Sequence, residues 1–296
     1  MSAGYLEITD LSIALRHRPA ERLLRSVSLS VATGEVRGLV GESGAGKTMI
    51  GKTIFDILPR AAKVVAGSAR VDGAELLTMH GGARRRLIAR TSAFIPQDPL
   101  TAFNPVRRID GQMTDRLTAI LGLSWRQARN RALKLLEEVH ISDPERVLAS
   151  YPHQLSGGMR QRVLIAAAFA SEPRLIVADE PTTALDVTVQ KQILRLIAEL
   201  QARHGTALLF VTHDLGVVAK ICQQVTVLFG GRVVEDTDVA SLFASPRHSY
   251  SAALIAATPR YDRPEESLLP VPAEVIASTR KEIAEADAEW ARARGV

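Results

Sequence analysis

The segment that most constrains this chain of 296 residues is Gly41-Glu42-Ser43-Gly44-Ala45-Gly46-Lys47-Thr48. It matches G-x-x-x-x-G-K-[ST] at every fixed position. Glycines let the backbone curl so that successive N–H groups surround an anion, the lysine adds a positive charge, and the threonine hydroxyl is suited to Mg²⁺. The pattern predicts that all eight residues contact the phosphates of a nucleoside triphosphate.

The residues around this loop favour the same interpretation. Val36 to Val40 reads as a short buried strand, and Met49 to Phe55 as the apolar start of a helix. A helix that begins here turns its positive end toward the phosphates. The alternative, a glycine-rich turn without a ligand, has little to support it in this strand–loop–helix setting.

Composition narrows the class of protein. A hydrophobic share of 46% and a charged share of 23% are ordinary for a soluble globular chain. The single cysteine, Cys222, excludes an internal disulfide framework and fits a reducing compartment. The longest apolar run, Val163 to Ala170, is far short of the ~20 residues of a membrane span. The net charge of +5 is scattered, so we expect no nucleic-acid partner.

Short apolar strands alternate with helical stretches along most of the chain. The strands are predicted within 5–32 (two strands around a polar turn at Arg16 to Glu21), and at 36–40, 67–73, 93–97, 175–180, 207–212, 225–229 and 232–235. Residues 98–156 read as an all-helical insert, and 273–294 as a charged helix. The alternation predicts a largely parallel sheet covered on both faces.

Four polar positions fall at the predicted strand ends: Gly41, Gln97, Asp179 and His213. Ligands of such sheets sit at the carboxyl ends of strands. We expect Asp179 to hold Mg²⁺ opposite the loop threonine, Glu180 to deprotonate the attacking water, Gln97 to contact the metal or that water, and His213 to contact the γ-phosphate. The alternatives are a helix N-cap for the carboxylates and an ordinary surface histidine.

The segment Leu155-Ser156-Gly157-Gly158-Met159-Arg160-Gln161-Arg162 resembles the signature motif of ATP-binding-cassette (ABC) ATPases. The resemblance covers about residues 5–260 and assigns the remaining motifs: Gly41 to Thr48 as Walker A, Gln97 as Q-loop, Asp179 and Glu180 as Walker B, Ala184-Leu185-Asp186 as D-loop, and His213 as switch histidine.

Four further segments resemble the oligopeptide, dipeptide and nickel importer branch of that family. They are Gln97 to Pro105, Tyr151-Pro152-His153, Asp179 to Val187, and His248-Ser249-Tyr250 followed by Leu254 and Pro259.

The resemblance implies an α/β fold: a P-loop NTPase (RecA-like) core with a parallel sheet, an antiparallel β subdomain and a helical signature subdomain. We expect the core at 1–97 and 159–240, the helical subdomain at 98–158 and a C-terminal extension at 241–296. ATP and Mg²⁺ are the implied cofactors. Ser156, Gly157 and Gly158 would contact ATP held by the opposing subunit, since a hydroxyl and bare N–H groups at a helix start suit an anion.

The implied function is an ATPase (a hydrolase and translocase) that powers import of peptides or related small solutes. Its expected partners are a second, paralogous ATP-binding subunit, two membrane permeases and an extracytoplasmic solute-binding protein, and its expected place is peripheral, on the cytoplasmic face of the inner membrane. A nickel, metallophore or glutathione importer is one alternative. A non-transport cassette acting on nucleic acid is another, and an ordinary P-loop kinase leaves the signature segment unexplained.

Two positions depart from the family pattern. Leu15 stands where the family commonly stacks an aromatic residue on adenine, with Tyr5 or Arg16 as possible substitutes. Many members of the branch carry a cysteine cluster near the C-terminus, whereas no cysteine follows Cys222 here. We therefore expect no iron–sulfur cluster.

Overall fold

The computed structural model describes residues 4–183, 185–258 and 270–294, so the predicted D-loop residue Ala184 and Pro259 lie outside the described residues. The strands are β1 Leu6–Leu15, β2 Arg18–Val31, β3 Val36–Val40, β4 Ala62–Val71, β5 Ala74–Glu75, β6 Ser92–Ile95, β7 Leu175–Asp179, β8 Ala207–Thr212, β9 Gln224–Phe229 and β10 Arg232–Asp238. The helices are α1 Lys47–Ile54, α2 Gly81–Thr91, α3 Pro99–Ala102, α4 Ile109–Leu121, α5 Trp125–Glu138, α6 Pro144–Ala149, α7 Gly157–Phe169, α8 Val187–His204, α9 Leu215–Ile221, α10 Val239–Ala244, α11 Ser249–Ala256 and α12 Ala273–Arg294, with a 3₁₀ turn at Pro152–Gln154.

These elements form two compact units. The first takes the described residues within 1–31, 35–78 and 210–296, and the second takes 32–34 and 79–209. Strand β8 begins in the second unit and ends in the first. The predicted core and subdomain limits remain a proposal.

The first unit contains an antiparallel sheet with the strand order β2-β1-β4-β5. Leu6 pairs with Val31 on one side and with Val71 on the other, and all three side chains are buried. The predicted polar turn from Arg16 to Glu21 is too long, because β2 already begins at Arg18. The polar residues of that stretch are accommodated because β2 is an edge strand, where exposed polar side chains cost little.

A second set of strands in the first unit carries the glycine-rich loop. β3, buried at all five residues, pairs in parallel with β9, and β9 turns through Gly230 and Gly231 into antiparallel β10. Gly38 in β3 lets α9 approach closely, since a Cβ there would lie 3.2 Å from both the Cys222 sulfur and a Val218 methyl. The glycine-rich loop therefore begins at the carboxyl end of the buried strand β3.

The second unit joins a parallel strand pair to a group of helices. β6 and β7 run side by side in parallel, with Ile95 opposite Ala178. Between residues 98 and 156 the described regular elements are α3 to α6 and the 3₁₀ turn, which confirms the predicted helical character of that stretch. In α5 a capping box at Ser124 and Gln127 secures the first turn.

No helix among the described residues combines the length and apolar character needed to cross a bilayer. The last described helix, α12, begins and ends at the predicted residues, Ala273 and Arg294. Together, parallel strand pairs flanked by helices and a separate antiparallel sheet confirm the predicted α/β class.

Candidate functional site: a nucleotide-binding cassette

The glycine-rich loop, Gly41 to Thr48, runs from β3 into α1. Gly41, Gly44 and Gly46 have φ angles of 152°, 82° and 98°, and Gly46 is the N-cap of α1. These angles lie in the region that L side chains rarely adopt, so glycine is needed at all three positions. The curled backbone and the free N–H groups of a helix start suit an anion.

Lys47 is held close to this loop. Its side chain is nearly buried, with 5% of the residue exposed, and Nζ donates to the carbonyl oxygens of Gly41 at 2.7 Å and Glu42 at 2.9 Å. The ammonium therefore lies beside the loop backbone rather than in open solvent. Apart from Gly44 and its two chain neighbours, no described atom lies within 4 Å of where a Cβ on Gly44 would stand, so that side of the loop has room for a ligand.

His213 follows the buried strand β8 and is exposed. The turn that carries it is fixed by hydrogen bonds. Thr212 Oγ1 accepts from the Asp214 N–H at 3.0 Å, and Asp214 Oδ1 caps α9 by accepting from Gly216 N–H at 2.8 Å. The structure thus presents His213 at a strand end, as the sequence predicts.

In the second unit, Asp179 and Glu180 follow the buried apolar residues of β7. Asp179 is 4% exposed, whereas Glu180 is partly exposed. Glu180 has a φ angle of 47°, which is uncommon outside glycine and costs of order 1–3 kcal/mol. Such strain clusters at functional sites and here fixes where the second carboxylate lies.

The structure brings Gln97 and Glu180 together. Gln97 Nε2 donates to Glu180 Oε2 at 3.3 Å, and Thr183 Oγ1 donates to the same oxygen at 2.9 Å. This proximity follows from the parallel pairing of β6 and β7, whose carboxyl ends meet at one edge. Thr183 was not predicted from the sequence, although its place three residues after Glu180 is a signal for a local hydrogen bond.

The signature segment begins helix α7. Ser156 is the N-cap, and its Oγ accepts from the Met159 N–H at 3.3 Å. Apart from its chain neighbours and the backbone of α7 itself, a Cβ added at Gly157 would meet no described atom within 4 Å. The start of α7 therefore offers a serine hydroxyl and unencumbered backbone N–H groups, which is the chemistry of an anion contact.

Gln161 links α7 to the loop that follows β7. It is 1% exposed, and its Nε2 donates to the carbonyl oxygen of Pro181 at 2.7 Å. Sequence reasoning placed Gln161 inside the signature but missed this contact. A buried amide one turn after the glycine pair is the signal that could have found it, because buried polar groups require partners.

Two sequence expectations near the site have mixed outcomes. Tyr5 is 4% exposed and packs in the core, so it is not available to stack on adenine, and that suggestion is wrong. Arg16 is exposed and remains a possible stacking group. Asp186 of the predicted D-loop caps α8, with Oδ1 accepting from the Val189 N–H at 2.9 Å.

A phosphate cradle after a buried parallel strand defines a P-loop nucleotide-binding protein. The family described as "ABC transporter" matches residues 24–183. The chain belongs to the ABC transporter family, and its enzymatic class is that of an ATPase.

Curated relatives match most of the chain. The "Probable peptide ABC transporter ATP-binding protein y4tR" of Sinorhizobium fredii is 46% identical over 261 residues, which cover 88% of this chain and 78% of the relative. The "Dipeptide transport ATP-binding protein DppD" of Escherichia coli K12 is 41% identical over 268 residues, covering 90% and 82%.

Solved structures of ABC cassettes share the fold. The ATP-binding cassette MJ0796, solved as a dimer in a post-hydrolysis state with ADP and Pi, superposes with a TM-score of 0.70 at 26% identity, covering 79% of this chain and 98% of that one. The cbiO1 protein of Clostridium perfringens, at 23% identity, gives a TM-score of 0.71 over 88% and 97%.

Proposed function

We propose that this protein is the ATP-hydrolysing subunit of an importer for peptides or related small solutes. The observation that carries the proposal is the match to two relatives that are named for peptide and dipeptide transport. They are 46% and 41% identical to this chain, and each match covers most of this chain and most of the relative. The expected partners are two membrane permeases, a solute-binding protein and a second ATP-binding subunit. The protein would then sit peripherally on the cytoplasmic face of the membrane.

The roles of the site residues form the next part of the proposal. Residues 41–48 bind the phosphates of ATP, with Lys47 supplying the charge. Thr48, Asp179 and Gln97 would hold Mg²⁺, which neutralises charge on the phosphate oxygens. Oxygen donors of this kind suit that metal, and the open space beside Gly44 supports a phosphate at the loop.

Glu180 is the proposed general base for the attacking water, and His213 the contact to the γ-phosphate. The hydrogen bonds from Gln97 and Thr183 to Glu180 Oε2 support this role, because they fix the orientation of the carboxylate. General-base assistance contributes about 10² to 10⁴ in rate.

Ser156, Gly157 and Gly158 are proposed to contact ATP bound by the opposing subunit. The open face beside Gly157 supports an approach from another chain. ATP would then join two subunits, hydrolysis would separate them, and the motion would reach the permeases.

The test is Glu180→Gln. It should retain ATP binding, lose hydrolysis by at least 10²-fold and accumulate an ATP-dependent dimer, measured by nucleotide titration, phosphate release and light scattering. Glu172→Gln, which alters an exposed glutamate paired with Arg131, is the matched control and should turn over normally. Normal turnover by Glu180→Gln would refute the general-base role.

The substrate class is tested separately. Membranes that contain the protein with its permeases and second ATP-binding subunit should take up labelled dipeptides when ATP and the solute-binding protein are supplied. Uptake of nickel or glutathione in place of dipeptides would reject the peptide assignment while leaving the ATPase assignment intact.

A further inference from the structure

On helix α12, the carboxylate of Asp287 contacts two arginines of strand β2. Asp287 Oδ2 accepts from Arg25 Nε at 2.9 Å, and Oδ1 accepts from Arg22 Nη2. Arg22 is 4% exposed at its side chain and also lies 4.0 Å from the centre of the Trp290 ring. The carboxylate is therefore shared between two arginines, and charge-assisted bonds of this kind are stronger than neutral ones.

Arg25 carries this contact to the turn between β9 and β10. Its Nη1 donates to the Gly230 carbonyl at 2.6 Å, and its backbone N–H donates to the Gly231 carbonyl at 2.7 Å. Ile283 of α12 meets the same turn, since a Cβ on Gly230 would lie 3.0 Å from Ile283 Cδ1. One arginine thus joins α12 to both glycines.

The Gly230-Gly231 turn contacts the glycine-rich loop. The Gly231 N–H donates to the Ala45 carbonyl at 3.0 Å. A Cβ on Gly46 would lie 2.7 Å from Leu24 Cδ2, and one on Gly231 would lie 2.3 Å from the Leu23 carbonyl. With so little space between these segments, a displacement of the turn must move the backbone of the loop.

We propose that Asp287 is a positioning residue for ATP binding: through Arg25 and the Gly230-Gly231 turn, it holds Ala45 and Gly46 in the conformation that binds phosphate. This inference rests on the proposed nucleotide site. Asp287 bonds to Arg22 and Arg25 and reaches the loop through Arg25 and the turn, so it acts on the fraction of molecules whose loop is competent to bind. A lower competent fraction raises the apparent Kd in proportion.

The experiment compares Asp287→Ala with the wild-type full chain by equilibrium titration with a fluorescent ATP analogue, well below Tm. The Kd and the KM for ATP should rise about fivefold or more, the lower end of typical couplings between sites, with a much smaller change in kcat. Arg25→Ala should raise the Kd at least as much, because it also removes the bond to the Gly230 carbonyl. The double variant should resemble Arg25→Ala, because the Asp287 change acts through the arginine that is already missing.

Two control variants separate positioning from stability. Arg22→Met removes the other partner of Asp287 but leaves the Asp287–Arg25 contact in place, so it should lower Tm without changing the Kd. Glu285→Ala removes an exposed acid of α12 whose contact with Lys281 is 4.0 Å long, and it should change neither quantity.

The outcomes distinguish this inference from the proposed function. If Lys47→Ala binds ATP as tightly as the wild type, the proposed nucleotide site fails. If Lys47→Ala loses binding while Asp287→Ala keeps the wild-type Kd, only the positioning role of Asp287 is overturned. A Kd raised equally by Arg22→Met would also overturn it, since the effect would then follow stability rather than the Arg25 connection.

Discussion

At the residue scale, two glycines of the loop differ in the space that is available for a Cβ atom. Gly41 and Gly44 both have positive φ, but a Cβ on Gly41 would lie 2.1 Å from the Leu228 carbonyl oxygen, whereas a Cβ on Gly44 would meet nothing described within 4 Å. Backbone strain is therefore common to both positions, and the steric clash is particular to Gly41. The loop conformation depends on β9 as well as on its own sequence.

This difference predicts that Gly41→Ala destabilises the protein more than Gly44→Ala does. The added cost of the clash should be about 1–3 kcal/mol, the usual range for overpacking. Thermal unfolding without nucleotide measures it, because ATP binding then contributes to neither variant. Equal Tm values for the two variants would show that β9 yields to the methyl group.

At the element scale, Gln161 ties α7 to the loop that carries Glu180. Gln161→Leu keeps the approximate volume but leaves the Pro181 carbonyl without this donor, which should cost about 1–3 kcal/mol. Tm should fall, and ATP hydrolysis should fall further than ATP binding, because Glu180 loses a nearby support. Gln192→Leu on α8 is the control and should stay within about 0.5 kcal/mol, because the side chain is exposed and water can replace it as acceptor of the 2.9 Å hydrogen bond from Arg162 Nη2.

Some of the strands and helices could be predicted from the sequence, and others could not. The buried strands β3 and β8 were predicted to the residue. β8 is a short, largely apolar run, whereas β3 contains Arg37 and was predicted because the glycine-rich motif that follows it requires a preceding strand. The end of α4 at Leu121 has a local signal in the sequence, since Gly122 adopts the left-handed conformation there. Helix α2 was missed because its three consecutive arginines obscure the apolar period.

The candidate site likewise contains some contacts that the sequence could predict and others that it could not. Strand ends placed Gln97 and Glu180, and parallel pairing made their contact predictable. The bonds of Gln161 to Pro181 and of Asp287 to Arg25 join residues 20 and 262 positions apart, and local periodicity carries no information about such pairs. Only the packed chain reveals them.

At the scale of the whole molecule, the buried thiol of Cys222 couples global stability to alkaline pH. Burial raises the pKa of Cys222 from 9.0 to about 12. The thiol binds its proton more tightly in the folded state, so its contribution is fully present below pH 9 and is lost as pH rises toward 12. Between pH 8 and pH 10 the free energy of unfolding should fall by about 1 kcal/mol from this group.

Urea unfolding at pH 8, 9 and 10 measures this loss. Cys222→Ala should start from a lower stability but show a correspondingly smaller decline over the same pH range. Burial also raises the pKa of Tyr250, whose contribution is lost only above pH 10 and therefore falls outside this window. An identical decline in Cys222→Ala and the wild type would contradict the assignment.

The contact between Arg25 and Asp287 spans 262 positions, and this separation sets an order of events during biosynthesis. A ribosome adding about 5–20 residues per second needs on the order of tens of seconds to travel from one partner to the other. Throughout that time the nascent glycine-rich loop exists without the carboxylate that is proposed to hold its support. A growing chain would thus acquire tight nucleotide affinity late, after most of the polypeptide has emerged.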